Sequence, residues 1–209
     1  MRIGIYGGTF SPVHSGHLLA AREFVRGMEL DKLLVIPAAQ PPHKEMQMPV
    51  SANDRLEMCR LAFGEMENVE ISDVEISRGG KSYTVDTVTA LREKYPRDEL
   101  FLLVGTDMIL TFDLWYRYED ILSLCDLVYV RRETDSDLNA KISEKISFLE
   151  KQTGKKIRHI KIDPVEISSS ELRQMLLEGE DTEDLIPEKV MDFILKKGIY
   201  TKTSGENDV

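Results

Sequence analysis

The run Arg2-Ile3-Gly4-Ile5-Tyr6 leads directly into Gly7-Gly8-Thr9-Phe10-Ser11-Pro12-Val13-His14-Ser15-Gly16-His17, after which Leu18, Ala21, Val25 and Met28 recur at helical spacing. A short aliphatic run, a glycine-bearing turn and an amphipathic helix, in that order, open a βαβ unit. Three more runs resemble the first: Leu33 to Ile36, Leu100 to Val104 and Leu127 to Val130. Each is short, rich in aliphatics and bounded by polar or turn residues, which predicts a strand buried on both faces. Helical periods lie between and after them: Val88, Leu91 and Tyr95 in a helix following residue 84, then Leu138, Ile142, Ile146 and Leu149, and finally Val190, Phe193 and Ile194. The alternation predicts an α/β fold. Its centre is a Rossmann-like parallel sheet with helices on both faces and right-handed crossovers, followed by a small helical C-terminal portion.

The chain has 209 residues, 42% hydrophobic and 31% charged, which suits one domain over 1–200 with a polar tail over 201–209. Twenty-seven Lys and Arg against 37 Asp and Glu give a net charge of −10, the opposite of the basic footprint a nucleic-acid partner requires. The densest basic cluster, Lys155, Lys156, Arg158, His159 and Lys161, reads as a solvated approach to a strand. A small anionic substrate stays open, because a few cations in one cleft outweigh a distant acidic surface. Cys59 and Cys125 are far apart and form no CxxC, which argues against a disulfide framework and for a reducing compartment. No signal-peptide pattern appears, and no apolar stretch nears the ~18 residues of a membrane span, so a cytoplasmic protein without membrane partners is expected. The sequence leaves the oligomeric state open, a homo-oligomer included.

Open parallel sheets bind ligands beyond the carboxyl ends of their strands, so chemistry is sought at 7–17, 37–44, 105–116 and 131–132. In the first segment, paired glycines allow close approach of backbone to ligand, and the helix start offers N–H groups to a phosphate. Neither G-x-G-x-x-G nor a Walker loop is present; Gly80-Lys81-Ser82 imitates the end of one, but Glu75 stands where its first glycine belongs. His14-Ser15-Gly16-His17 remains. A single histidine there would be ordinary helix-entry packing, and zinc would want further ligands. Two imidazoles beside glycines suit donation to a phosphate chain without a permanent charge.

Near the other end, Ile167-Ser168-Ser169-Ser170-Glu171-Leu172-Arg173 reads first as a helix start. Ser168 and Glu171 have capping-box spacing, and Leu172, Met175 and Leu176 face a core. Capping leaves Arg173 unexplained. Serines at a helix N-terminus with a guanidinium one turn on make an anion site. Four more segments bear on a second ligand. Pro41-Pro42-His43-Lys44 places a cation on a rigid turn. Ser82-Tyr83-Thr84-Val85-Asp86-Thr87 opens a helix whose positive end suits a carboxylate. Gly105-Thr106-Asp107 follows a strand where an aspartate meets ribose hydroxyls, and Trp115-Tyr116-Arg117-Tyr118 holds the one tryptophan, which reads as partial core or as a stacking surface.

Together these motifs resemble, over essentially the whole chain, the nucleotidyltransferases with the H-x-G-H signature and, more narrowly, the bacterial nicotinate-nucleotide adenylyltransferases. The family usually has Asp where this chain has Ser11, and His and Trp where it has Tyr116 and Tyr118. The resemblance implies a nucleotidyltransferase-type fold and a reaction joining nicotinate mononucleotide to ATP, giving nicotinate adenine dinucleotide and pyrophosphate in NAD biosynthesis. It places ATP against Gly7, Gly8, Thr9, Phe10, His14, His17, Gly105, Asp107, Ile167, Ser168, Ser169 and Arg173. The acceptor falls to Lys44, Ser82, Tyr83, Thr84 and Trp115, and catalysis to His14, His17, Lys44 and Arg173. Mg2+ is expected to travel with ATP, without a dedicated protein site. Another phosphate acceptor, such as nicotinamide mononucleotide or phosphopantetheine, and a catalytically silent nucleotide-binding module are the alternatives.

Overall fold

The computed structural model describes residues 1–41, 50–131, 136–162 and 167–200. Pro42, His43 and Lys44, Arg132 and the 201–209 tail lie outside the described residues. In chain order the elements are β1 (Arg2–Gly8), α1 (Ser15–Gly27), β2 (Lys32–Pro37), α2 (Ala52–Phe63), β3 (Val69–Ile71), α3 (Val74–Arg78), α4 (Thr84–Lys94), β4 (Glu99–Val104), α5 (Thr106–Leu110), a 3-10 turn (Phe112–Leu114), α6 (Tyr118–Leu124), β5 (Asp126–Arg131), α7 (Ser136–Thr153), β6 (Arg158–Lys161), α8 (Ser169–Glu178) and α9 (Glu188–Lys197).

The strands form one sheet in the order β3-β2-β1-β4-β5-β6, every neighbouring pair parallel. Side chains alternate between its faces. Leu33, Val35, Phe101, Leu103, Val128 and Val130 join one core with α1, α2, α8 and α9. Leu34, Ile36, Leu100, Leu102, Leu127 and Tyr129 join the other with α4 to α7. That two-sided burial is why the inner strands read as unbroken aliphatic runs. Gly4 lets α1 approach β1: a Cβ there would lie 2.5 Å from the Leu30 side chain and 2.9 Å from the Phe24 ring.

The four aliphatic runs are β1, β2, β4 and β5. Two strands carry no such run. β3 is three residues long, and of β6 only Ile160 is buried. β6 occupies the basic stretch 158–161 at the sheet edge, where charged side chains discourage further pairing. The order reverses between β1 and β4, so a crevice opens at their carboxyl ends, the usual ligand site of such sheets. No helix among the described residues is long and apolar enough to cross a membrane.

Candidate active site

The turn leaving β1 enters that crevice. Gly7 is exposed and a Cβ on it would meet nothing within 4 Å, whereas one on Gly8 would press to 2.9 Å on the Phe10 ring. Phe10 has φ 51°, a left-handed conformation that costs a bulky residue about 1–3 kcal/mol unless its surroundings impose it. Packing imposes it: the ring is 1% exposed and lies edge-on to Tyr6, His17 and Phe63 at 5.4, 5.1 and 6.1 Å. The Phe10 side chain is therefore core.

His14 caps α1 in extended conformation. Its backbone N–H donates to Nδ1 of His17 at 3.2 Å. With Nδ1 accepting, the neutral ring carries its proton on Nε2. The two ring centroids lie 3.7 Å apart with the planes tilted by 37°, His14 4% exposed and His17 half-buried. Behind them, Ser15 N–H donates to the Leu185 carbonyl at 2.8 Å.

α8 reaches the same turn from 150 residues away in sequence. The Ser168 hydroxyl accepts the Glu171 N–H at 3.2 Å, and the Glu171 carboxylate accepts the Ser168 N–H at 2.8 Å. The expected capping box is formed, and its hydrogen bonds hold the Glu171 carboxyl below its usual range. Ser169 Oγ donates to the Pro12 carbonyl at 3.0 Å. Arg173 Nη1 donates to the Ser11 and Ser169 carbonyls at 2.8 and 3.1 Å, and its Nη2 to Ser170 Oγ at 3.1 Å. Two signature halves are thus hydrogen-bonded to each other across the crevice.

Two residues near this turn stand outside the expected site. Tyr200 is 2% exposed and shares a 2.7 Å hydrogen bond with Ser11 Oγ, with burial pushing its phenol up to about 12. Arg55 of α2 is fully buried and donates to the Thr9 and Ala39 carbonyls at 2.9 and 3.0 Å. The clue to Arg55 was an arginine on the buried stripe of a helix, beside Leu56, Met58 and Cys59.

On the neighbouring side, Ser82 Oγ accepts the Ala39 N–H at 2.8 Å and the Ser82 N–H donates to the Gln40 carbonyl at 2.9 Å. The Ser82 hydroxyl is buried in that contact, so it holds a loop as well as standing beside one. Tyr83 precedes α4 without capping it by its side chain, and its ring meets Tyr116 at 5.0 Å. Trp115 is half-buried against Phe112 at 5.0 Å, as the partial-core reading expects. Gly105 caps α5, whose exposed Asp107 lies in the first turn, while Thr106 Oγ1 anchors the turn to the Val130 carbonyl at 2.8 Å. In the core, burial pushes the Cys125 thiol up to about 12 and the Cys59 thiol higher still; protonated thiols are poor nucleophiles.

Imidazoles, hydroxyls, helix N-termini and a guanidinium are donors for phosphate oxygens. Among the described residues no three His, Cys, Asp or Glu group to hold a metal ion. That donor set fits a divalent ion held by the nucleotide's phosphates and water.

The cytidylyltransferase-like family model matches residues 5–175. A nicotinate-nucleotide adenylyltransferase of Geobacter metallireducens is 38% identical over 213 residues, covering 96% of this chain and 99% of that one. Its counterpart in Geobacter sulfurreducens is 39% identical, covering 96% and 98%. Among solved structures, the Plasmodium falciparum nicotinic acid mononucleotide adenylyltransferase complexed with NaAD superposes with a TM-score of 0.75 over 95% of this chain and 97% of that one, at 20% identity; that likeness carries the fold.

Proposed function

The chain belongs to the nicotinate-nucleotide adenylyltransferases of the cytidylyltransferase-like family, and from that premise we propose that the crevice between β1 and β4 joins ATP to nicotinate mononucleotide. A phosphate oxygen of the mononucleotide forms a bond to the α-phosphorus of ATP. The bond from that phosphorus to the bridging oxygen breaks, and pyrophosphate leaves with the electron pair. The attacking phosphate is ionised at neutral pH, so no general base is needed. The obstacle is one anion approaching another, and catalysis is alignment and charge neutralisation without a covalent enzyme intermediate.

The observation that carries this reading is the pair of hydrogen bonds from Ser169 and Arg173 to the carbonyls of Pro12 and Ser11. They support a single triphosphate site flanked by the histidine turn and the start of α8. In this reading Nε2–H of His17 donates to the phosphates, with His14 beside it. Arg173, Ser168 and Ser169 take the departing pyrophosphate, with Ile167 at their edge. The backbone of Gly7, Gly8, Thr9 and Phe10 lies along the nucleotide, Gly105 and Asp107 border the adenosine, and Lys44 offsets charge between the reactants. Mg2+ carried by ATP supplies further charge neutralisation when bound.

For the acceptor, the start of α4 near Tyr83 and Thr84 offers N–H groups and a positive dipole end to the nicotinate carboxylate, with Trp115 beside the pyridine ring. Nicotinamide mononucleotide lacks that carboxylate, so kcat/KM measured by pyrophosphate release should favour the nicotinate form by at least about tenfold, the scale of one such interaction. Equal values would remove the α4 assignment and leave adenylyl transfer standing. Turnover with phosphopantetheine alone would replace the acceptor altogether.

A further inference from the structure

A guanidinium stays charged at any working pH, and burying one is costly unless a carboxylate or other anion answers it. Arg55 is fully buried, and among the described residues its hydrogen-bond partners are two neutral carbonyls, Thr9 O at 2.9 Å and Ala39 O at 3.0 Å. Its Nε is buried without a hydrogen-bond partner. Glu75, the carboxylate that interacts with it electrostatically, is itself buried and accepts a 2.6 Å hydrogen bond from Thr87 Oγ1. A tie between two loops could be made by a neutral amide; retaining a full charge implies that the charge is used.

The two carbonyls belong to the turns that leave β1 and β2. Thr9 lies five residues before His14, in the turn read as the triphosphate cradle. Ala39 passes the contact on, because its N–H donates to Ser82 Oγ at 2.8 Å, and the Ser82 N–H returns to the Gln40 carbonyl at 2.9 Å. Ser82 leads into α4, the element read as the acceptor seat. Arg55 hydrogen-bonds to both turns, and it places a cation beside backbone that, on this reading, two anionic substrates approach.

We propose that Arg55 is a positioning residue that fixes the spacing between the triphosphate turn after β1 and the acceptor side formed by the β2 turn and α4. It touches neither substrate. It holds Thr9 and Ala39 at one separation, so that bound ATP and bound mononucleotide meet in line. The inference rests on the adenylyl-transfer reading and adds a residue to it.

Arg55→Lys keeps the cation and cannot fork to both carbonyls; Arg55→Met keeps the length and loses both features. Each is compared with the parent at a temperature where circular dichroism shows it folded. Binding of ATP and of nicotinate mononucleotide is measured separately, and turnover by pyrophosphate release. A misplacement near 1 Å costs about a hundredfold in rate. Both variants should therefore lose about 10- to 100-fold in kcat while each binary affinity stays within about threefold of the parent. Arg55→Met should be the slower of the two. Should Arg55→Met not fold, Arg55→Lys alone carries the comparison. A purely structural tie would lower the unfolding temperature and leave kcat per folded molecule unchanged. The inference is overturned if kcat in the folded variants stays within about threefold, or if one binary affinity falls as far as kcat does. An inactive parent would refute the adenylyl-transfer reading and this inference with it; an active parent with equally active variants refutes this inference alone.

Discussion

Nδ1 of His17 accepts the His14 amide, which in the neutral ring puts the proton on Nε2. The sequence paired the two imidazoles as equals. Their burial separates them, because capping α1 draws His14 inward while His17, one turn on, keeps part of its ring at the surface. Phe10 shows the same limit: proximity in a motif says nothing of whether a ring faces ligand or core. The contacts of Arg55 and Tyr200 were illegible for a different reason, since Thr9 and Ser11 lie 46 and 189 residues away from them in sequence and no spacing rule reaches so far. Tyr200 allows a test at this scale. Its phenol is raised from about 10 in the unfolded chain to about 12 by burial, so its contribution to stability is complete below pH 10 and disappears as pH rises toward 12. Two pKa units correspond to about 3 kcal/mol. In urea unfolding, stability of the parent should fall more steeply above about pH 10 than that of Tyr200→Phe, which has no phenol to ionise. Identical slopes would show that this hydroxyl is not desolvated as the fold requires.

At the scale of elements, those with an amphipathic period or a two-sided aliphatic run were readable: β1, β2, β4, β5, α1, α4, α7, α8 and α9. The helix α2 was not, because Arg55 interrupts its apolar stripe with a residue whose burial depends on tertiary partners. α3 and α5 are five residues each, too short to display a period, and β3 and β6 bury too little to read as strands. α8 shows the opposite situation, in which local chemistry suffices. Ser168 and Glu171 close a capping box wherever they occur at that spacing before an apolar run. Here the cap also sets the height of Arg173 above the Ser11 carbonyl. Ser168→Ala should cost about 1 kcal/mol, a fall of about 2–4 °C in Tm for a chain of this size, together with a lower kcat. A parental Tm would mean that packing of Leu172 and its neighbours alone fixes the start of α8.

For the whole molecule, the βαβ alternation gave a parallel sheet, but the strand order β3-β2-β1-β4-β5-β6 comes from packing helices on both faces. That order creates the switch point between β1 and β4, and the turn leaving β1 there meets α8. A net charge of −10 would repel two anionic substrates from an unstructured surface. The fold answers by gathering imidazole, guanidinium and helix N-termini into one crevice, where fixed donors act more strongly than they would in open water. The most direct test of that convergence is the turnover of His17→Ala and Arg173→Met with saturating ATP and nicotinate mononucleotide, followed by pyrophosphate release in variants shown by circular dichroism to be folded. Each should fall by about 10²–10³-fold, the cost of removing one preorganised donor from a transition state. Turnover of either variant within a few-fold of the parent would contradict a shared triphosphate site.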